Sequence, residues 1–146
     1  MPTVLIFSDD PAVREEVRLA VGRRPSQSLD AITWLDASTG AEVMTVADAG
    51  EADLLILDAE AQPEGGMGLA RQVKAEVADS PPVLLLLARQ ADRWLARWSL
   101  AEGSVQRPLE PGSTVAEVVR LLQLSADRVP TPPRTGRFGL AVKARP

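Results

Sequence analysis

Four short apolar runs punctuate the chain, and polar stretches of helical period fill the gaps between them. Val4–Ser8 reads as a buried strand, and Pro11 then suits the first turn of a helix with Asp10 as its N-cap. Val13, Val17, Ala20 and Val21 recur at helical spacing with Arg14, Glu15, Glu16 and Arg18 outside, and Gly22 ends the run. Ala31–Asp36 reads as a second strand. Ser38-Thr39-Gly40 opens a second helix to about Ala49. Asp53–Leu57 is unbroken in its apolar core, as in a strand covered on both faces. Ala59–Gly68, with Pro63, Gly65, Gly66 and Gly68, reads as a loop, and Leu69–Val77 as a helix stopped by Ser80-Pro81-Pro82. Val83–Leu87 is a fourth buried strand, Ala91–Ala101 a helix, Gly103–Gln106 a short strand and Gly112–Ser125 a last helix.

Strand and helix alternate five times over short connections. That predicts an α/β protein of (βα)₅, flavodoxin-like type: a three-layer sandwich with a five-stranded parallel sheet covered by helices on both faces. One domain spans 1–125, and 126–146 is a Pro/Arg-rich extended C-terminal tail without usable periodicity. No internal repeat is visible.

Composition narrows the chemistry. The chain has neither cysteine nor histidine, so thiolate metal sites, thiol nucleophiles, a histidine base and phosphohistidine are excluded. The longest apolar run, Val83–Ala88, is far below the ~20 residues of a membrane span. With a strand starting almost at the N-terminus, the reading is a cytoplasmic protein without a signal peptide or direct membrane insertion. Charge is uneven. Residues 128–146 hold Arg128, Arg134, Arg137, Lys143 and Arg145 and no acid, whereas the other 127 residues carry 11 basic and 20 acidic side chains. A basic tail thus follows an acidic domain. Five spread charges on an acidic body make a weak nucleic-acid site, and nothing after Ser125 has room for a helix-turn-helix, so no DNA partner is expected.

Acids close two of the strands. Ser8-Asp9-Asp10 follows the first and Asp58 ends the third, 49 residues after Asp9. This predicts an acidic pocket at the C-terminal edge of the sheet, where such folds place their sites. Clustered carboxylates there suit a hard cation such as Mg²⁺. A nucleotide site is disfavoured, because the first turn is acidic instead of glycine-rich.

With these residues in place, the chain resembles the receiver domain of bacterial response regulators over about residues 3–125. Asp9 matches the principal Mg²⁺-binding acid, and Ser8 stands where a second acid is usual. Asp58 matches the phosphoacceptor. Glu60 matches the position whose backbone carbonyl joins the metal shell, so the implied metal set is Asp9, Asp58 and Glu60. Pro63 and Gly68-Leu69 echo the Pro-Gly-x-x-Gly-Leu loop, and Arg107-Pro108 replaces Lys-Pro, with Arg107 as the phosphate-site cation. Leu87 occupies the position of the hydroxyl that binds phosphate, and Ser104 that of the mobile aromatic. The resemblance therefore implies an atypical, stand-alone receiver: its acceptor is kept and its usual readout is removed. Such a domain is not an enzyme and works through protein docking. The alternative is a phosphorelay regulator phosphorylated on Asp58 by a histidine kinase.

Pressed further, the SDD start and GGMG loop resemble actinobacterial orphan response regulators associated with the proton-pumping NADH:quinone oxidoreductase, respiratory complex I. That resemblance implies an accessory subunit on the cytoplasmic face of the membrane, with the tail along a groove of its host. Trp94 and Trp98 are four apart with Ala91, Leu95 and Ala101 on one helical face. The face reads as core, with a docking surface as the alternative. Arg134, Arg137 and Phe138 form a candidate linear recognition segment in the tail.

Overall fold

The computed structural model describes residues 1–127. The elements are β1 (Thr3–Phe7), α1 (Pro11–Val21), β2 (Thr33–Ala37), α2 (Gly40–Asp48), β3 (Leu54–Asp58), α3 (Gly66–Glu76), β4 (Val83–Leu87), α4 (Arg93–Trp98), β5 (Gly103–Gln106) and α5 (Pro111–Ala126). The strands form one parallel sheet in the order β2-β1-β3-β4-β5. This is the expected (βα)₅ sandwich.

Period-two alternation divides the apolar runs between the two faces. Leu5, Phe7, Leu55, Leu57, Val83 and Leu85 pack against α2 and α3. Val4, Ile6, Leu54, Ile56, Leu84 and Leu86 pack against α1 and α5. Every residue of the inner strands β3 and β4 is buried, as their unbroken apolar character demands. The edge strands β2 and β5 are only partly buried and carry polar residues.

Helix starts follow side-chain chemistry. Asp10 caps α1 by accepting from the Ala12 N–H at 2.9 Å, with Pro11 next. Thr39 and Glu42 form a capping box on α2. Amides donated by Ser38 and Thr39 hold the Glu42 carboxyl below its ordinary range. Glu110 caps α5 through Ser113 N–H at 2.7 Å and Gly112 N–H at 3.0 Å.

Three expectations are corrected. Helix α3 starts at Gly66, inside the stretch read as loop. Gly65 and Gly66 are packing residues: a Cβ on Gly66 would lie 2.7 Å from the Asp58 carbonyl oxygen, so glycine lets α3 begin hard against the end of β3. Helix α4 is a six-residue helix entered through a 3₁₀ turn at Gln90–Asp92, much shorter than the 91–101 span. Its inner face is Asp92, Ala96 and Ser99. The small Ala96 and Ser99 take the inward positions, and Trp94 and Trp98 lie outside, 67% and 49% exposed. The reading of that face as core is overturned.

Candidate functional site: an acidic crevice between β1 and β3

The strand order reverses its direction of growth at β1, which lies between β2 and β3. The crevice at that reversal, on the C-terminal edge, is where the two acidic strand ends meet. Val4 to Phe7 of β1 pair in register with Leu54 to Leu57 of β3, so Ser8 and Asp58 come out side by side.

Asp58 is 3% exposed and both of its carboxylate oxygens are engaged. The Ser8 hydroxyl donates to Oδ2 at 2.8 Å, and the Glu60 backbone N–H donates to Oδ1 at 2.9 Å. Ser8 is fully buried, and its oxygen also accepts the Asp10 N–H at 3.0 Å. Asp9, by contrast, is exposed, and its Oδ1 accepts the Gln62 N–H at 3.2 Å, which ties the β3–α3 loop to the end of β1. Helix α1 supports this edge from the side. Arg14 donates to the Ser8 carbonyl and to Asp36 on β2, and Arg18 also donates to Asp36.

Asp9, Ser8 and Asp58 are thus brought to one crevice. The Glu60 side chain is exposed, and its link to the site is through its backbone. Among the described residues, no group of three or more carboxylates is gathered as a ligand cage. Arg107 is placed differently from the expectation of a cation turned to the acceptor. Its Nε and Nη2 donate to Glu16 Oε1 on α1 at 3.3 and 3.2 Å, and Glu16 Oε2 accepts the Leu109 N–H at 3.2 Å. Leu87 ends β4, fully buried, and Ser104 sits on β5. With no ring at Ser104, a cleft of about 530 Å³ opens over β5, lined in part by Leu87, Ser104, Arg107 and Arg93.

Three residues of the site were missed or misassigned in sequence. Ser8, which stands where the resemblance expects a second acid, donates a hydrogen bond to Asp58. Glu16 looked like an ordinary outward helix acid. Arg89 carried no motif, yet it stands close enough to Glu60 to feel its charge: the Asp92 hydrogen bond first, and then the Asp92 and Glu60 charges, push its guanidinium above the ordinary range. Trp98 is covered on one side by Arg71, whose guanidinium lies 4.7 Å from the ring centre and whose Nη1 donates to the Trp98 carbonyl. Arg134, Arg137 and Phe138 lie outside the described residues.

A parallel 2-1-3-4-5 sheet with a buried carboxylate at the β1/β3 crevice defines the receiver class of α/β proteins. No protein-family model matches the chain. A response regulatory protein of Mycobacterium tuberculosis, from two strains, is 44% identical over 120 residues, covering 80% of this chain and 90% of its own. The chain belongs to the response-regulator receiver family. Among solved structures, the receiver domain of a Francisella response regulator superposes with a TM-score of 0.71 at 16% identity, covering 86% of this chain and 99% of that one. The receiver domain of a Pseudomonas aeruginosa sensor histidine kinase, with a magnesium ion coordinated in its active-site cleft, gives 0.67 at 17% identity, covering 84% and 98%. At these identities the structural likeness speaks for the fold alone.

Proposed function

We propose that this receiver acts mainly by docking onto another protein through the α4 face. The observation that carries the reading is the exposure of Trp94 and Trp98 on a six-residue helix, with Leu100 also 55% exposed just beyond it. Leu100 has φ of 68°, a left-handed conformation that glycine adopts far more readily. A large apolar residue held there without burial is locally costly, and cover by a partner would offset that cost. Tryptophan and arginine are the side chains that most often anchor interfaces, and Arg93 and Arg97 flank the indoles. The specific host implied by resemblance, respiratory complex I on the cytoplasmic side, enters this proposal on the resemblance alone, as does docking of residues 126–146 with Arg134, Arg137 and Phe138.

A second reading is favoured by a separate observation, the buried and doubly hydrogen-bonded Asp58. As an ionised carboxylate it can attack phosphorus directly. One Asp58 oxygen bonds to phosphorus while the bond from phosphorus to the donor nitrogen of a kinase histidine breaks, leaving an acyl phosphate. The all-oxygen donor set of Asp9, Asp58 and the Glu60 carbonyl fits Mg²⁺, which would neutralise the phosphoryl oxygens when bound. Ser8 leaves that set with two formal negative charges, weaker than a three-acid set. The Ser8 hydroxyl and the Glu60 N–H orient the acceptor.

Affinity purification from the native cell tests the two readings together, using the full chain, a version ending at Ser125, and Trp94→Ala with Trp98→Ala. Docking predicts a stable partner that is lost in the tryptophan variant. Recovery of a respiratory assembly, dependent on the tail, would establish the specific host. Recovery of a histidine kinase alone, unaffected by the tryptophans, would refute docking and favour phosphotransfer to Asp58.

A further inference from the structure

We infer that Glu16 is a positioning residue that holds Arg107 away from Asp58, so that filling the acceptor pocket is read out through α1. The inference rests on the phosphoryl reading of Asp58 and adds its regulation. Glu16 takes three hydrogen bonds from the segment after β5, two from Arg107 and one from the Leu109 N–H. One carboxylate therefore fixes both the cation and the backbone leading into α5. Arg107 forms its ion pair with Glu16, not with Asp58.

The cation is nevertheless stationed on the correct edge. Asp58 pairs in register with Leu86, and Leu86 with Val105, two residues before Arg107. Two strand spacings, about 10 Å, separate those lines. A phosphoryl group on Asp58 would extend toward Arg107 and bring about two negative charges with it. Glu16 offers one, on a side chain 32% exposed that water screens in part. The two anions compete for the same guanidinium, and its transfer would strip Glu16 of two of its three hydrogen bonds.

Helix α1 is built to register that loss. Two residues before Glu16, Arg14 grips the Ser8 carbonyl, and the Ser8 hydroxyl grips Asp58. One helix thus touches the acceptor side and the cation side of the crevice. The alternative route across β4 and β5 offers only Leu87, which cannot hydrogen-bond a phosphate, and Ser104, which has no ring to move.

The test uses the full chain, beryllium fluoride with Mg²⁺ as the phosphoryl mimic, and amide NMR. The Glu60 amide, bonded to Asp58, reports pocket filling, and the Leu109 amide, bonded to Glu16, reports the link. In the wild type both should shift along one saturation curve. Glu16→Gln, which keeps the shape and removes the competing charge, should bind the mimic about five- to tenfold tighter. Arg107→Ala should keep a Glu60 response and lose the one at Leu109. A Glu60 response with a silent Leu109 amide in the wild type would overturn the inference while leaving the pocket intact, a result that needs no variant to fold. Equal or weaker binding by folded Glu16→Gln would also overturn it. A silent Glu60 amide in both proteins would refute the phosphoryl reading, and the inference with it.

Discussion

Alanine placed at Gly66 or at Gly68 should move stability in opposite directions, although both positions lie in the first turn of α3. At Gly66 the new Cβ would sit 2.7 Å from the Asp58 carbonyl oxygen, 2.9 Å from the Asp58 carbonyl carbon and 3.0 Å from the Leu57 Cβ. The first two are backbone atoms of a strand buried on both faces, so no side chain can swing aside. Overpacking of this kind costs about 1–3 kcal/mol, and alanine's helix preference offsets little of it at the first helical residue. The net expectation is a loss of about 2 kcal/mol. At Gly68 a Cβ meets nothing within 4 Å, and alanine should gain up to about 1 kcal/mol. For a domain of this size 1 kcal/mol corresponds to about 3–5 °C in Tm. Gly66→Ala should therefore melt about 6–10 °C lower and Gly68→Ala about 3–5 °C higher, by far-UV circular dichroism at matched concentration. Shifts of the same sign, or a Gly66→Ala protein that melts with the wild type, would refute the claim that glycine is required against β3. Because the displaced atoms belong to Asp58, Gly66→Ala should also move the Glu60 amide resonance, which Gly68→Ala should leave in place.

Other consequences can be checked more briefly. Thr114 is buried with no partner for its hydroxyl, so Thr114→Val should stabilise the fold by about 1 kcal/mol in urea denaturation. Trp94→Ala should change stability by less than about 0.5 kcal/mol, whereas Ala96→Leu on the inner face of α4 should cost about 1–3 kcal/mol. The Ser113 and then the Gly112 amides hold Glu110 below its ordinary value of 4.5. Its capping contribution is present above that value and is lost as pH falls through the lower folded pKa. The Tm gap between wild type and Glu110→Gln should thus be full at neutral pH and narrow as the pH falls below 4.5.

Whatever depended on period and composition could be read from the chain. The run Leu54-Leu55-Ile56-Leu57 with Asp58 at its end is apolar enough to require cover on both faces, and Asp10-Pro11 and Ser38-Thr39 mark helix starts whose caps form as expected. Side-chain direction on a short helix could not be read. Trp94, Leu95 and Trp98 share a helical stripe with Ala91, but the smaller Ala96 and Ser99 take the inner face. Glu16 was equally opaque. Its meaning depends on a partner 91 residues away, brought near by the docking of α1 beside α5. The Gly65-Gly66 pair misled because turn chemistry and close packing call for the same residue.

The register of the sheet has a consequence for how the protein comes into being on the ribosome. Each strand pairs with a parallel neighbour, and the pairing of Val4 with Leu54 closes a loop of 50 residues. Such loops form slowly and only after much of the chain has emerged. The first acids therefore wait as an unpaired tail-end of β1 until Asp58 is made, and Glu16 waits longer still for Arg107. A nascent chain stalled before its fifth strand would already carry Asp9 and Asp58 but not Arg107, so the acidic half of the crevice is older, in every molecule's own lifetime, than the half that carries the guanidinium.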